Sequence, residues 1–283
     1  MRRESFLERL PRSVYIWTSL LLLFAAFALL LGPVFMVLGL CGLDRGRAFS
    51  ARAAQMGFHG LLAWCGLVSY PRVRGHVPRG GPFVVVSNHA SGMDTCCVMA
   101  FSPRPLRQVA KYGLWEVPLV GLAVWASGAI FLREERAIGS LDATSVLEEP
   151  IRAIRAGTSV AFFPEGTRAR GRGIRRFRAG AFEVAAATGV PVLPIVIVGS
   201  GEFMPAPGVH PLGPYRVTVE ILEARRVEGD LDTFRRSLRD EVAARYAAIL
   251  AEPFHAPTRA EMTNVPTSPE ALESRERSLT RTS

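Results

Sequence analysis

Val84-Val85-Val86-Ser87-Asn88-His89-Ala90-Ser91-Gly92-Met93-Asp94-Thr95 changes character in its middle. An apolar β-branched run stops at Asn88-His89, small residues follow, and an acid opens the next segment. The valines suit a buried strand, and Ala90, Ser91 and Gly92 let the chain turn before a helix that starts near Asp94. A strand feeding a helix is the repeating unit of an α/β layer. Outward from this stretch the pattern recurs. Strands are expected at Phe83–Ser87, Leu106–Ala110, Ala129–Leu132, Ser159–Phe163, Val192–Val198 and Tyr215–Leu222. Helices are expected at Asp94–Phe101, Ile138–Ala156, Ala179–Thr188 and Leu231–Ala251, with Pro150 breaking the second in two. The alternation predicts an α/β fold with a largely parallel sheet flanked by helices, preceded by an N-terminal membrane-anchoring helical segment.

That anchor is read from Ser13 to Leu43, which holds no charged residue. It exceeds the roughly 20 residues a spanning helix needs and the apolar core of about 7–15 residues of a cleaved signal. Gly32-Pro33 is expected to kink or break it. Arginines flank both ends (Arg2, Arg3, Arg9 and Arg12; Arg45, Arg47 and Arg52), so charge sets no orientation. A tilted, kinked span and a bent segment that dips in and returns both fit, and either anchors the chain. Residues 51–70 place Phe58, Leu61, Leu62, Trp64 and Leu67 largely on one side, which suits a helix in the membrane interface or an ordinary core helix. His59 there is read as a packing residue. The division expected is a membrane segment 1–50, an amphipathic helix and linker 51–74, a catalytic domain 75–252, and a polar, disordered tail 253–283.

The 283 residues carry 34 Lys+Arg against 25 Asp+Glu, a net charge of +9, with Lys111 the only lysine. An arginine-rich surface favours phosphate groups, anionic lipid or acidic carrier proteins. Cys41, Cys65, Cys96 and Cys97 fit no zinc spacing and are read as buried thiols. The chain has neither G-x-G-x-x-G nor a P-loop lysine motif, which disfavours a nucleotide-binding oxidoreductase.

His89 falls at the carboxyl end of the first expected strand, the edge where open α/β sheets bind ligands. Five residues separate it from Asp94, about 140° on a regular helix, so the two meet only if the chain turns first. Two readings stand for this pair. Asp94 orients the imidazole as a general base, or Ser91 to Asp94 merely caps a helix start. A second cluster, Ala161 to Phe182, ends a strand at Phe163 and follows with Pro164-Glu165-Gly166-Thr167-Arg168. Six arginines lie within this loop: Arg168, Arg170, Arg172, Arg175, Arg176 and Arg178. Guanidinium groups suit a phosphate through bidentate hydrogen bonds, and Arg168 stands nearest the strand tip. Gly128–Arg133 is read as another strand ending in an arginine at the same edge, and Val190–Ser200 as a buried strand opened by two prolines.

In this order and spacing the four blocks resemble the lysophospholipid/glycerolipid acyltransferase family, in particular its 1-acyl-sn-glycerol-3-phosphate acyltransferase-like members. Asn88 to Asp94 is similar to the family's His-x4-Asp block, Gly128–Arg133 to its second, Phe163–Arg168 to its third and Val190–Pro194 to its fourth. Lys111, Pro118 and Gly121 match a Lys…Pro-x-x-Gly run. Ala169 and Arg178 depart from the pattern where serine and lysine are frequent. The resemblance covers residues 75 to 225. It implies O-acyl transfer from acyl-CoA or acyl-ACP to a lysophospholipid acceptor, lysophosphatidate foremost, giving phosphatidate. His89 would be the base and Asp94 its orienting acid; Arg133, Glu165, Gly166, Thr167 and Arg168 would bind the acceptor. No metal, no cofactor beyond the acyl-CoA or acyl carrier protein co-substrate, and no nucleic acid partner is expected. No G-x-S-x-G elbow supplies a covalent nucleophile. Acceptor, product and membrane lipid call for a location at the cytoplasmic membrane with the catalytic domain facing the cytoplasm. The alternatives are the same transfer to another lysolipid, or an inactive membrane lipid-binding protein.

Overall fold

A computed structural model describes residues 6–44, 47–64, 69–74, 76–77, 80–117, 120–132, 143–169, 173–203 and 217–252. Cys65, Leu67, Pro118, Arg133, Arg170, Arg172, Tyr215 and the tail 253–283 lie outside them. The strands are β1 (Ser69–Val73), β2 (Val84–Ser87), β3 (Leu106–Lys111), β4 (Ile130–Leu132), β5 (Ser159–Phe162), β6 (Val192–Val198) and β7 (Val217–Ile221). The helices are α1 (Phe6–Ala25), α2 (Gly32–Leu40), α3 (Ala48–Trp64), α4 (Met93–Phe101), α5 (Val120–Ala126), α6 (Ala143–Arg155), α7 (Gly180–Thr188), α8 (Ser200–Phe203) and α9 (Leu231–Ala251).

Among the described residues one sheet is formed, in the order β1-β7-β6-β2-β5-β3-β4. From β6 to β4 all pairings are parallel. β7 runs antiparallel to β6, and β1 lies parallel to β7 at the far edge. Alternation along β2 divides the core: Val85 packs with Leu62 of α3 and Cys97 of α4, while Val84 and Val86 pack with Ile154 of α6, Phe182 of α7 and Val242 of α9. The path explains the two layers. The chain leaves β2 toward β3 and β4, then reverses through β5 to β6. Right-handed crossovers therefore put α4 on one face and α6 and α7 on the other.

Proline behaves differently from expectation in three places. Pro150 does not break its helix: α6 runs unbroken from Ala143 to Arg155 with Pro150 buried. The ring removes one backbone bond, and its burial in the core offsets that loss. Pro71 lies in β1, a strand absent from the sequence reading and assigned there to the linker; only at a sheet edge is the missing N–H harmless. Gly32-Pro33 does not stop the N-terminal apolar helix either. A π-helical turn, Ala26–Leu31, precedes it, and Pro33 takes an early position in α2. The wider turn relieves the clash of the ring with the preceding carbonyl.

Thr18–Leu40 is long and apolar enough to cross a membrane, by length and composition. One side of it is buried: Leu20, Phe27, Ala28 and Phe35 join the core with α3. Phe27 fills the space a Cβ on Gly57 of α3 would need, approaching it to 2.8 Å. The other side exposes Leu21, Leu22, Leu29, Leu30, Val34, Val37 and Leu40. In α3, Phe58, Leu61 and Leu62 are buried against α4, whereas Phe49 and Met56 are exposed. His59 meets Phe101 edge-on at 5.8 Å, as a packing residue would. Cys96 and Cys97 are buried thiols; Cys41, expected buried, is exposed just past α2.

Candidate active site

The parallel strands deliver their following loops to one edge, and β2 lies near the middle of the sheet, between β5 and β6. Where β2 ends, its pairing with β6 is continued by a side chain. Asn88 Nδ2 donates to the Ile197 carbonyl and Asn88 Oδ1 accepts from the Ile197 N–H, each at 2.8 Å. This buried bracket fixes the point at which the chain leaves the sheet, one residue before His89.

His89 is then held by its backbone from the β5 loop. Its N–H donates to Glu165 Oε1 (2.9 Å), and its carbonyl accepts from Ala169 N–H (2.7 Å). The imidazole lies flat on Phe163, with ring centroids 4.1 Å apart at 14°. Its Nδ1 is 3.0 Å from Asp94 Oδ2, and the side chain keeps 18% of its surface open to solvent. Asp94 is fully buried at the start of α4. The same Oδ2 accepts from the N–H groups of Ala90 (2.6 Å) and Ser91 (2.7 Å), while Ser91 Oγ accepts from Met93 N–H. The two readings of the sequence are thus one structure: Asp94 closes the turn and holds the imidazole with a single oxygen. With the carboxylate accepting from Nδ1–H, neutral His89 carries its lone pair on Nε2.

Glu165 is buried, and both its oxygens accept backbone N–H groups, from His89 and from Arg175 at 3.0 Å. Burial raises its pKa above the ordinary 4.5, and the two backbone donors oppose that shift. Gly166 has φ +69, and a Cβ there would run into the Arg178 guanidinium, 2.5 Å away, so the turn needs glycine. Thr167 and Arg168 face solvent, and Arg168 makes no ion pair among the described residues. Since the Ala169 N–H bonds to the His89 carbonyl, the Arg168 backbone is one residue from that link. Arg175, Arg176 and Arg178 are also exposed. Lys111 ends β3 at the same edge, and Gly121 lets α5 press on the Trp115 carbonyl, 2.3 Å from where a Cβ would stand. From β6 the chain returns at Gly201, whose Cβ position is 3.2 Å from Ala90 Cβ. Among the described residues no cluster suited to a metal ion occurs.

The sequence reading did not anticipate the Asn88 bracket, the Phe163 stack or the Glu165 clamp. Each joins residues 74 or more positions apart, and no local pattern signals them.

Residues 71–198 match the family model described as Acyltransferase. The mouse 1-acyl-sn-glycerol-3-phosphate acyltransferase alpha is 35% identical over 160 residues, 56% of this chain and 55% of its own length. The chloroplastic 1-acyl-sn-glycerol-3-phosphate acyltransferase of Brassica napus is 32% identical over 173 residues, 57% and 49% of the two chains. The chain thus spans about half the length of the curated relatives it matches. The crystal structure of the 1-acyl-sn-glycerophosphate acyltransferase from Thermotoga maritima shares the fold, with a TM-score of 0.70 at 23% identity over 88% of this chain and 99% of that one. The segment from 71 to 198, which carries the His89–Asp94 pair and the Glu165–Arg168 loop, belongs to the acyltransferase family.

Proposed function

We propose that this protein transfers a fatty acyl group from acyl-CoA or acyl carrier protein to the free hydroxyl of lysophosphatidate, giving phosphatidate. The observation that carries this reading is the His89–Asp94 pair: Nδ1 bonded at 3.0 Å to a buried carboxylate, with Nε2 left for substrate. An alcohol is a weak nucleophile, and a positioned base contributes about 10²–10⁴-fold by taking its proton in the transition state. His89 Nε2 accepts the hydroxyl proton as the oxygen attacks the thioester carbonyl carbon. Asp94 stabilises the resulting imidazolium. The tetrahedral intermediate then expels the thiolate, which takes the proton back from His89. No covalent enzyme intermediate is required.

Arg168, exposed and without an ion-pair partner among the described residues, is the side chain offered to the acceptor phosphate, with Arg133 and Thr167 assisting. Glu165 and Gly166 act by shaping the loop that holds His89, since both Glu165 oxygens are already engaged by backbone. The similar proteins from mouse and Brassica napus are named for this acceptor, which supports the reading. The apolar flank of α1 and α2 supports a membrane-bound enzyme, and a soluble thioester donor suits the cytoplasmic face.

The test is an acceptor and donor panel with the purified full chain. Lysophosphatidate should be converted to phosphatidate, read by mass spectrometry, well ahead of lysolipids with a capped phosphate. Preference for a capped acceptor would reassign the substrate; no product with any lysolipid and either thioester would reject acyl transfer.

A further inference from the structure

Away from the His89 edge, at the amino ends of β3 and β4, lies an arginine-lined cavity. It has a volume of about 300 Å³ and is lined by Arg47, Arg107, Trp125, Phe131, Glu149 and Arg152, among others. Two strands, β5 and β3, separate β2 from its β4 wall, so it is distinct from the His89 edge.

The charges here are incompletely matched. Arg107 is buried, donates to the Gly128 carbonyl and pairs with Glu149 at 2.6 Å. Arg152 is largely exposed and lies 3.8 Å from Glu148. Arg47 stacks over Trp125, 4.6 Å from the ring centroid, and donates to the Trp125 carbonyl at 2.8 Å. It makes no ion pair among the described residues, and its Nε is buried without an acceptor. Asp44, the nearby acid, spends its oxygens on the Phe49 and Ser50 N–H groups and the Ser50 hydroxyl at the start of α3. Burial and the neighbouring Arg107 both push the Arg47 pKa down. A buried donor without a partner, facing a like charge, calls for an anion.

We propose that this cavity holds a phosphate group, presented by an anionic phospholipid headgroup. Guanidinium forks match phosphate oxygens, and a cavity of this size takes a small ligand group. The place favours a headgroup over a free ion. Arg47 follows the end of the apolar helix at Leu40 by seven residues, and Trp125 belongs to α5, which packs on α2 and the π-turn. An arginine just past an apolar helix, with a tryptophan packed beside it, is a pairing suited to headgroup level where such a helix meets a membrane. The site does not depend on the acyl-transfer reading.

The experiment is thermal denaturation of the full chain in a neutral detergent, titrated at constant ionic strength. One arm uses inorganic phosphate, the other short-chain phosphatidylglycerol. Wild type and Arg168→Ala should both show a saturable rise in Tm. Arg47→Gln and Arg152→Glu should need at least about tenfold more ligand, the loss of one charge-assisted contact. Arg152 is exposed, so its variant tests the site even if Arg47→Gln folds poorly. Saturation by phosphatidylglycerol at lower concentration than by inorganic phosphate supports the headgroup; saturation by inorganic phosphate alone overturns it in favour of a free anion. A response equal in all four proteins, absent in wild type, or lost only in Arg168→Ala rejects the site.

Discussion

At His89 the decisive feature is how many independent restraints converge on one residue. Its N–H, its carbonyl, its ring face and its Nδ1 are each engaged, by Glu165, Ala169, Phe163 and Asp94. Glu165→Gln keeps the shape but turns an amide NH₂ toward one of two backbone donors. We expect kcat to fall about tenfold or more, the worth of one charge-assisted hydrogen bond, with KM for both substrates little changed; a change in KM alone would make Glu165 a substrate ligand. The same variant has a pH signature. Because burial raises the Glu165 pKa in the folded state, its contribution to stability is full below pH 4.5 and is lost as pH rises through the raised value. The Tm advantage of wild type over Glu165→Gln should therefore shrink as pH rises from the acid range toward neutrality. Arg168→Ala should raise the acceptor KM for lysophosphatidate and leave kcat nearly intact, the pattern of lost uniform binding; equal KM values in the two proteins would remove Arg168 from the phosphate contact.

At the level of elements, the strands and helices that alternate around β2 follow from β-branched runs and helical spacing, and all six expected strands are present within a residue or two. What the sequence concealed was tertiary in origin. β1 is too short and too polar to announce itself without β7 beside it, and α6 survives Pro150 because the ring is buried. The chemistry was legible to the extent that His89, Asp94 and the Glu165–Arg168 loop stand at strand tips. Why the tip of β2 locks onto β6 was not, because Asn88 reaches Ile197 across 109 positions. Asn88→Ala strips both Ile197 backbone groups of their partners in a buried site, at about 1–3 kcal/mol for each unsatisfied group. A clear drop in Tm accompanied by lost turnover is expected in circular dichroism melts and assays; an unchanged Tm would mean that water replaces the bracket.

For the molecule as a whole, the N-terminal helix has one face in the protein core and the other bare. Leu29 and Leu30 are 62% and 70% exposed, next to Phe27 and Ala28 at 5% and 3%. An exposed apolar flank this continuous marks a surface that meets lipid or a protein partner, and the membrane-bound reading assigns it to lipid. Leu29→Asp with Leu30→Asp should release the chain from liposomes in a flotation assay while its circular dichroism spectrum is retained; flotation equal to wild type would place the membrane contact elsewhere. The cavity at Arg47 lies where that helix joins the body, so the proposed headgroup site and the apolar flank are neighbours.

The central claim is that the His89 imidazole takes the proton from the acceptor hydroxyl. Its most direct measurement is single-turnover acyl transfer by His89→Ala in detergent, alongside a melt showing that the variant is folded. The account predicts a rate constant lower by about 10²–10⁴-fold with acceptor binding retained. A folded variant that turns over within a few-fold of wild type would contradict it.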